Sequence, residues 1–135
     1  MNYNVPSDKI YIAQSRVIPT ERGVFARSTI QKGECIEICP VIDIPELDTA
    51  ILRESILITY MYYFGKKKER SVLALGFGSI YNHSYQPNAR YKELHLHQTI
   101  EFWATKNINK DEEILVNYIQ DTNDTTTPLW FEIHT

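Results

Sequence analysis

Turn-forming residues interrupt this chain so often that only short elements fit between them. Breaks fall at Pro19–Gly23, at Gln31–Glu34, at the charged hairpin tip Lys66–Arg70 and at Asn109–Glu112. The segments between them are rich in β-branched and aromatic residues, and several alternate apolar with polar side chains, which is typical of half-buried strands. Only Pro45–Leu52 favours a short helix. The sequence therefore predicts a mainly β protein with little helix.

The predicted strands share either this alternation or an unbroken apolar run bounded by turn residues. They are Lys9–Val17, Val24–Ala26, Cys35–Ile42, Val72–Tyr81, Arg90–Ala104 and Ile114–Ile119. At 135 residues the chain has the length of one domain. We expect a core over about residues 10–120, followed by a polar linker and an aromatic tail over residues 121–135.

Composition argues against several classes of function. The net charge of -3 gives the chain no general attraction to nucleic acid or to an anionic membrane. No apolar segment approaches the ~20 residues that span a bilayer, and the N-terminus lacks the basic and apolar parts of a signal peptide. We therefore expect no direct binding to nucleic acid or membrane. The expected location is the cytoplasm, or the nucleus if the protein comes from, or is delivered to, a eukaryotic cell.

Cysteine and histidine content does not predict a metal site. Cys35 and Cys39 have no further Cys or nearby His, so we expect two small buried apolar side chains rather than a disulfide or a zinc site. His95 and His97 alternate on a predicted strand and would share one face. Two imidazoles without a third ligand are expected to face solvent, so we predict no metal.

Two polar clusters contain residue types that a strand core does not need. Gly76–Asn88 places Asn, His, Ser, Pro and Asn directly after an apolar run, where their side chains can bind exposed backbone or a ligand. Glu112–Tyr118 places carboxylates, an Asn and a Tyr around another strand. Because adjacent strand residues point to opposite faces, Glu112 and Glu113 are interpreted as turn and register residues. Together the clusters predict a cofactor site.

Four motifs, in this order, resemble those of the SET domain, the family of lysine methyltransferases that use S-adenosylmethionine. They are Arg22-Gly23-Val24-Phe25-Ala26, Lys32-Gly33-Glu34, Asn82-His83-Ser84 with Pro87-Asn88, and Glu112-Glu113-Ile114 with Asn117-Tyr118. The resemblance runs from about Ile10 to the C-terminal tail and is closest to the small stand-alone SET proteins of viruses and bacteria. It implies several small curved sheets, with the C-terminal segment passing beneath a preceding loop as a pseudoknot.

The resemblance also implies an activity. The protein would be a protein-lysine N-methyltransferase that uses S-adenosylmethionine, releases S-adenosylhomocysteine and needs no metal. Its partner would be a lysine in an extended segment of a histone or another protein or peptide, and a homodimer is compatible with the small SET proteins. An apolar channel and the positive sulfonium both disfavour a lysine ammonium, so no dedicated base is required. Alignment and fixed dipoles would supply the rate.

Individual residues receive roles from the same resemblance. Tyr118 would be the catalytic tyrosine that orients the amine, and Tyr62 would line the lysine channel, although the adjacent Tyr63 could exchange with it. The implied substrate residues are Tyr63, Gln120 and Phe131. The implied cofactor residues are Arg22, Gly23, Val24, Asn82, His83 and Trp130. Among these, Asn82 would act through its amide, and the His83 ring would hold the threaded segment.

Three positions depart from the family pattern. Glu21 replaces the first glycine of the opening motif and would be strained if that backbone needs a positive φ. Ser79 replaces an arginine, and Gln120 replaces the aromatic residue that often limits the number of methyl groups. These departures leave open an alternative, a SET-fold module that binds cofactor or peptide without turnover. A structural protein with no ligand would leave the Asn-His motif and Tyr118 unexplained.

Overall fold

Short strands in two sheets dominate the part of the chain that the structure, a computed structural model, describes, residues 5–64 and 70–119. The strands are β1 Ile10–Gln14, β2 Arg22–Ala26, β3 Cys35–Ile44, β4 Met61–Phe64, β5 Arg70–Ala74, β6 Asn82–His83, β7 Ala89–Leu94, β8 Thr99–Ala104 and β9 Glu113–Val116. The helices are α1 Glu46–Leu52 and two 3₁₀ helices, Ile56–Tyr60 and His95–His97. One sheet has the order β1-β2-β9-β6, and the other has the order β4-β5-β3-β8-β7.

Both sheets contribute side chains to one apolar core. Val24 and Ile114, which face each other across β2 and β9, are fully buried. Val72 of β5 and Ile100 and Phe102 of β8 are fully buried as well and belong to the same cluster. These β-branched and aromatic residues suit the crowded, pleated surface between strands. The core therefore ties the first sheet to the second and fixes the loops between them.

The last of the described strands, β9, lies inside its sheet, antiparallel to β2 and parallel to β6. The side chain of Asn88 extends this pairing in the manner of a backbone amide. Its Nδ2 donates to the Glu113 carbonyl oxygen at 2.9 Å, and its Oδ1 accepts from the Leu115 N–H at 2.8 Å. The backbone N–H of Ser84 donates to the Val116 carbonyl oxygen at 2.9 Å. The polar segment around the Asn-His motif thus holds β9 along its length.

The predicted fold class, mainly β with little helix, is confirmed. The predicted helix is confirmed at Glu46–Leu52, where Pro45 precedes the first turn. None of the helices within residues 5–64 and 70–119 has the length and apolarity that crossing a membrane would require.

Four predicted strands are longer than the strands in the structure. Those predicted over Lys9–Val17 and Ile114–Ile119 end at Gln14 and at Val116. The strand predicted over Val72–Tyr81 ends at Ala74, because Gly76 takes a positive φ of 63° and the chain then turns. The strand predicted over Arg90–Ala104 is a hairpin of β7 and β8. Both β7 and β8 direct apolar side chains toward the same core, so the sequence of the hairpin resembles that of one continuous strand. His95 and His97 consequently lie in a 3₁₀ turn and not along one strand face, and His97 is exposed.

Gly33→Ala is expected to lower the free energy of unfolding by about 1–2 kcal/mol, the cost of a left-handed conformation for a residue with a Cβ. Gly33 has a φ of 90°, and a Cβ there would meet no atom within 4 Å, so backbone strain is the sole new cost. Urea unfolding measures this loss of stability, and the slope of the free energy of unfolding against urea concentration should be unchanged. As a control, Gln98→Gly removes a non-glycine residue from a φ of 53° and should not destabilise. Equal stability of Gly33→Ala and the parent chain would contradict this account.

Candidate active site

Tyr118, the predicted catalytic tyrosine, is held by the chain at both its backbone and its hydroxyl. Its backbone N–H donates to Nδ1 of His83 at 3.0 Å, although 35 positions separate the two residues. Its carbonyl oxygen accepts from the Tyr91 hydroxyl at 2.8 Å. Its own hydroxyl donates to the Tyr81 carbonyl oxygen at 2.5 Å. The parallel pairing of β6 with β9 makes these contacts possible, because it aligns His83 with Val116 just before Tyr118.

The Tyr118 hydroxyl stays protonated in this setting. Burial, followed by the electrostatic influence of Tyr60 and Glu21, raises the pKa of Tyr118 above its usual value of 10.0. Since the single hydroxyl hydrogen points at the Tyr81 carbonyl, the oxygen lone pairs are the part of the group that can accept from a ligand N–H. Such a group can orient an amine without adding charge to the site.

Tyr62, the predicted channel tyrosine, is buried in β4, whereas Tyr63 is half-buried on the opposite face of the strand. The Tyr62 hydroxyl donates to the Gly78 carbonyl oxygen at 2.7 Å, and its ring lies 4.9 Å from the Tyr91 ring in an edge-on arrangement. Burial, with smaller contributions led by Tyr118, raises the pKa of Tyr62 well above its usual value. Of the two adjacent tyrosines, Tyr62 therefore joins the aromatic group around Tyr118.

The amide of Asn82 is fixed in orientation by the protein itself. Its Nδ2 donates to the Arg22 carbonyl oxygen at 2.9 Å and to Oε2 of Glu113 at 3.1 Å. Both amide hydrogens are thereby committed, so Oδ1 is the atom that this side chain can offer to a ligand, as an acceptor. Asn82 itself is buried. An acceptor held in this way suits a cationic group such as an ammonium.

Glu113, interpreted from the sequence as a turn or register residue, makes contacts at the candidate site that sequence reasoning missed. Its carboxylate is buried and also accepts from the Ser15 hydroxyl at 2.8 Å and from the Arg16 N–H at 2.7 Å. A Cβ on Gly23 would lie 2.3 Å from Oε2 of Glu113. Gly23 is therefore needed for the approach of this carboxylate. The sequence held no signal for the contact, since it depends on β9 lying beside β2. Glu112, by contrast, is a turn residue that accepts from the Asn109 N–H.

Within the part of the chain that the structure describes, one ring nitrogen of His83 has a hydrogen-bond partner and the other has none. Nδ1 accepts from the Tyr118 N–H, which assigns the proton of the neutral ring to Nε2. Nε2 is buried, and it is the one buried side-chain nitrogen or oxygen among the described residues that lacks a hydrogen bond. The ring packs edge-on against the ring of Tyr85 at 4.5 Å. Burial lowers the pKa of His83 below 6.5, which favours this neutral form.

Two of the three departures from the family pattern have a local explanation. Glu21 does not have a positive φ, so it is not strained. Its backbone closes a turn by donating to the Ile18 carbonyl oxygen at 2.8 Å. Ser79 donates its hydroxyl to the Ala74 carbonyl oxygen at 2.8 Å and so stabilises the turn after β5. The third departure, Gln120, lies outside the described residues.

The remaining predicted site residues divide into those near the site and those outside the described ranges. Arg22 has its side chain exposed, and its carbonyl oxygen is the acceptor for Asn82. Val24 is fully buried in the core beside Gly23. The predicted site residues Trp130 and Phe131 lie outside the described residues, as does the linker before them.

The cysteines are free thiols, with Cys39 fully buried and Cys35 partly buried. Burial is the main cause that raises the pKa of both, which suits apolar packing residues. Throughout residues 5–64 and 70–119, no three His, Cys, Asp or Glu side chains come together in an arrangement that could hold a metal ion.

Comparison with solved structures supports the fold. A Plasmodium falciparum protein solved as a candidate histone methyltransferase superposes with a TM-score of 0.63 and 37% identity, over 82% of this chain and 92% of that chain. The SET8 protein of Cryptosporidium gives a TM-score of 0.64 with 26% identity, over 84% of this chain and 58% of that chain.

Comparison of sequences identifies the family. A histone-lysine N-methyltransferase of Schizosaccharomyces pombe, described as specific for H3 lysine-37, is 32% identical over 112 residues, which make up 82% of this chain and 70% of that relative. The family model for the SET domain matches residues 21–119, which include the candidate site from Gly23 to Tyr118. The resemblance inferred from the motifs is confirmed, and the chain belongs to the SET domain family of protein-lysine N-methyltransferases.

Proposed function

We propose that this protein transfers a methyl group from S-adenosylmethionine to a lysine in an extended segment of a protein, with a histone as the first candidate. The observation that carries the proposal is the position of the Tyr118 hydroxyl, bonded to the Tyr81 carbonyl beside Asn82 and His83. The candidate substrate class comes from the Schizosaccharomyces pombe relative, described as specific for H3 lysine-37. Residues 1–135 would form one minimal SET domain, with the tail over 121–135 completing the site.

The residues around Asn82 fit S-adenosylmethionine. When bound, this donor supplies a methyl group on a positively charged sulfonium. The Asn82 Oδ1, fixed by Arg22 and Glu113, would accept from the donor's ammonium group. The buried Nε2–H of His83 is a donor without a protein partner in the described ranges, and an acceptor on the ligand would satisfy it. No metal enters this scheme.

The tyrosines would position the substrate amine. A lysine amine must be neutral to attack, and its free pKa is ~10.4. The surroundings formed by Tyr62, Tyr91 and Tyr118 are apolar and hold neutral hydroxyls, so they disfavour an ammonium and favour loss of its proton to solvent. The oxygen of Tyr118 would then accept from an amine N–H and turn the lone pair toward the methyl carbon.

The substrate backbone would pair with an edge of the five-stranded sheet. β4, which carries Tyr62 and Tyr63, is one of its edge strands. An extended peptide added there would lie beside both tyrosines and could pass its lysine side chain toward Tyr118. Glu21, whose charge acts on Tyr118, would favour a cationic side chain at the entrance. This role needs neither nucleic acid nor membrane, and it is compatible with a cytoplasmic or nuclear location and with a homodimer.

Tyr118→Phe is expected to lower the rate of methyl transfer by roughly 100-fold or more, because the site loses the oriented oxygen that positions the amine. Transfer of labelled methyl groups to histones and to a lysate measures the rate, and calorimetry with S-adenosylhomocysteine should show unchanged binding. Tyr11→Phe is the matched control, since it also removes a hydroxyl with a hydrogen bond, to Asp111, away from the site. Binding without any labelled substrate would favour the module without turnover, and full activity of Tyr118→Phe would contradict the proposed role.

Acidification is expected to weaken both folding and activity through His83. Because burial lowers its pKa below 6.5 in the folded protein, the unfolded chain takes up the proton first as the pH falls. The free energy of unfolding should therefore fall as the pH drops through 6.5 and below, until the folded-state pKa is reached. Protonation at Nδ1 would also set a donor against the Tyr118 N–H.

Chemical denaturation and methyl transfer at pH 7.5 and 5.5 test this, with His83→Gln as the control. A glutamine oxygen can accept from the Tyr118 N–H without titrating in this range. The parent chain should lose more stability and more activity between the two pH values than the variant does. Equal losses in both proteins would show that another group causes the pH dependence.

A further inference from the structure

Glu37 is a buried carboxylate that none of the roles described so far uses. It lies in β3 at a β-bulge, where the pairing with β8 shifts between Cys35 and Glu37. The bulge breaks the alternation of faces, so Ile36 and Glu37 are both buried, with 2% and 6% of their surface exposed. A buried carboxylate is costly unless donors satisfy its oxygens. The groups that donate hydrogen bonds to the Glu37 carboxylate therefore indicate why the bulge turns this residue inward.

Both oxygens of Glu37 bind the segment between β5 and β6, residues 75–81, which we call the carbonyl loop. Oε1 accepts from the Tyr81 hydroxyl at 2.7 Å, and Oε2 accepts from the Phe77 N–H at 2.9 Å. Gly76 has a φ of 63°, and a Cβ there would lie 2.6 Å from Oε2. The loop can close over the carboxylate because position 76 is glycine.

The carbonyl loop provides the backbone acceptors for the hydroxyls of Tyr62 and Tyr118. The Gly78 carbonyl accepts from Tyr62 at 2.7 Å, and the Tyr81 carbonyl accepts from Tyr118 at 2.5 Å. The Tyr81 side chain is fixed at its hydroxyl by the carboxylate and along its face by Phe102, with ring centroids 4.1 Å apart. A shift of the loop would therefore move both acceptors together.

We propose that Glu37 is a positioning residue for methyl transfer, which fixes the carbonyl loop so that the hydroxyl hydrogens of Tyr62 and Tyr118 are directed at backbone oxygens. The proposal rests on the function proposed above for Tyr118. With its hydrogen directed at the loop, the Tyr118 oxygen faces the amine as an acceptor. Without the carboxylate, the two donors of the loop lose their shared anchor, and the hydroxyls lose a fixed orientation.

A positioning role and a merely structural role predict different kinetics. If Glu37 only stabilised the fold, its substitution would lower the fraction of folded protein. Methyl transfer and binding of the methyl donor would then fall together, in proportion to that fraction. If it positions the tyrosines, kcat falls in fully folded protein while the methyl donor binds as before. The methyl donor would bind instead at the amide of Asn82, which donates to the Arg22 carbonyl and to Glu113 and not to the carbonyl loop.

The test uses Glu37→Gln, which keeps the shape but retains one acceptor oxygen for two donors. At saturating concentrations of S-adenosylmethionine and peptide, kcat is expected to fall about tenfold or more, as for a slightly misplaced reacting group. The dissociation constant of S-adenosylhomocysteine, from calorimetry, should stay within about twofold. Glu113→Gln is the matched control, because it makes the same change at a second buried carboxylate. There one acceptor oxygen remains for the donors of Ser15, Arg16 and Asn82, so the Asn82 amide is less firmly oriented and the methyl donor should bind more weakly.

Tyr81→Phe is a milder second variant, for the case that Glu37→Gln does not fold. It removes the hydroxyl that binds Glu37 and keeps the ring against Phe102. We expect kcat to fall several-fold with unchanged binding of S-adenosylhomocysteine. Where both single variants fold, the double variant should lose less than the product of the two single losses, since both remove the same contact.

Parental kcat in folded Glu37→Gln or in Tyr81→Phe would overturn the inference. The inference would also be overturned if Glu37→Gln lost as much affinity for S-adenosylhomocysteine as it lost in kcat. A parent chain that transfers no methyl groups, or a fully active Tyr118→Phe, would contradict the proposed function instead. The same assay therefore separates failure of this inference from failure of the function on which it rests.

Discussion

Two residues of parallel pairing between β6 and β9 determine where the site forms. Asn82 lies against Leu115 and His83 against Val116, so segments far apart in sequence meet over a very short length. Such a short pairing is weak by itself, and the amide of Asn88 reinforces it with two further hydrogen bonds to β9. The result is that Tyr118 leaves the strand beside His83 and beneath the Tyr81 carbonyl.

Two buried carboxylates give the site its fixed geometry. Glu113 holds the amide of Asn82 and the backbone at Arg16, on the side where the methyl donor would bind. Glu37 holds the carbonyl loop, on the side of the tyrosines. In an apolar interior a carboxylate with several donors is a strong local constraint, since leaving a donor unpaired there is costly. The polar groups that face a ligand are thereby oriented before the ligand arrives, which is the main requirement for catalysis by alignment.

Local sequence predicted the fold class, the short helix and several strands in outline, because each depends on nearby turns or on a run of side chains. It did not predict β4 or β6, and it misplaced the ends of other strands. The family resemblance implied that the His83 ring holds the C-terminal segment, and the structure places this ring against Tyr118. Sequence gave no indication of Glu113 or Glu37, since their burial depends on pairings between distant strands and on a bulge. The same limit explains why the alternation around His97 suggested a continuous strand: both arms of a hairpin face one core.

A crystal structure with S-adenosylhomocysteine and a lysine peptide tests the central claim most directly. The account predicts that the ligand amino group lies at hydrogen-bonding distance, ~2.7–3.2 Å, from the Asn82 Oδ1. It also predicts that the lysine amine lies beside the Tyr118 oxygen, while the Tyr118 hydroxyl keeps its bond to the Tyr81 carbonyl. A ligand bound away from Asn82 and His83, or a lysine that does not reach Tyr118, would contradict it.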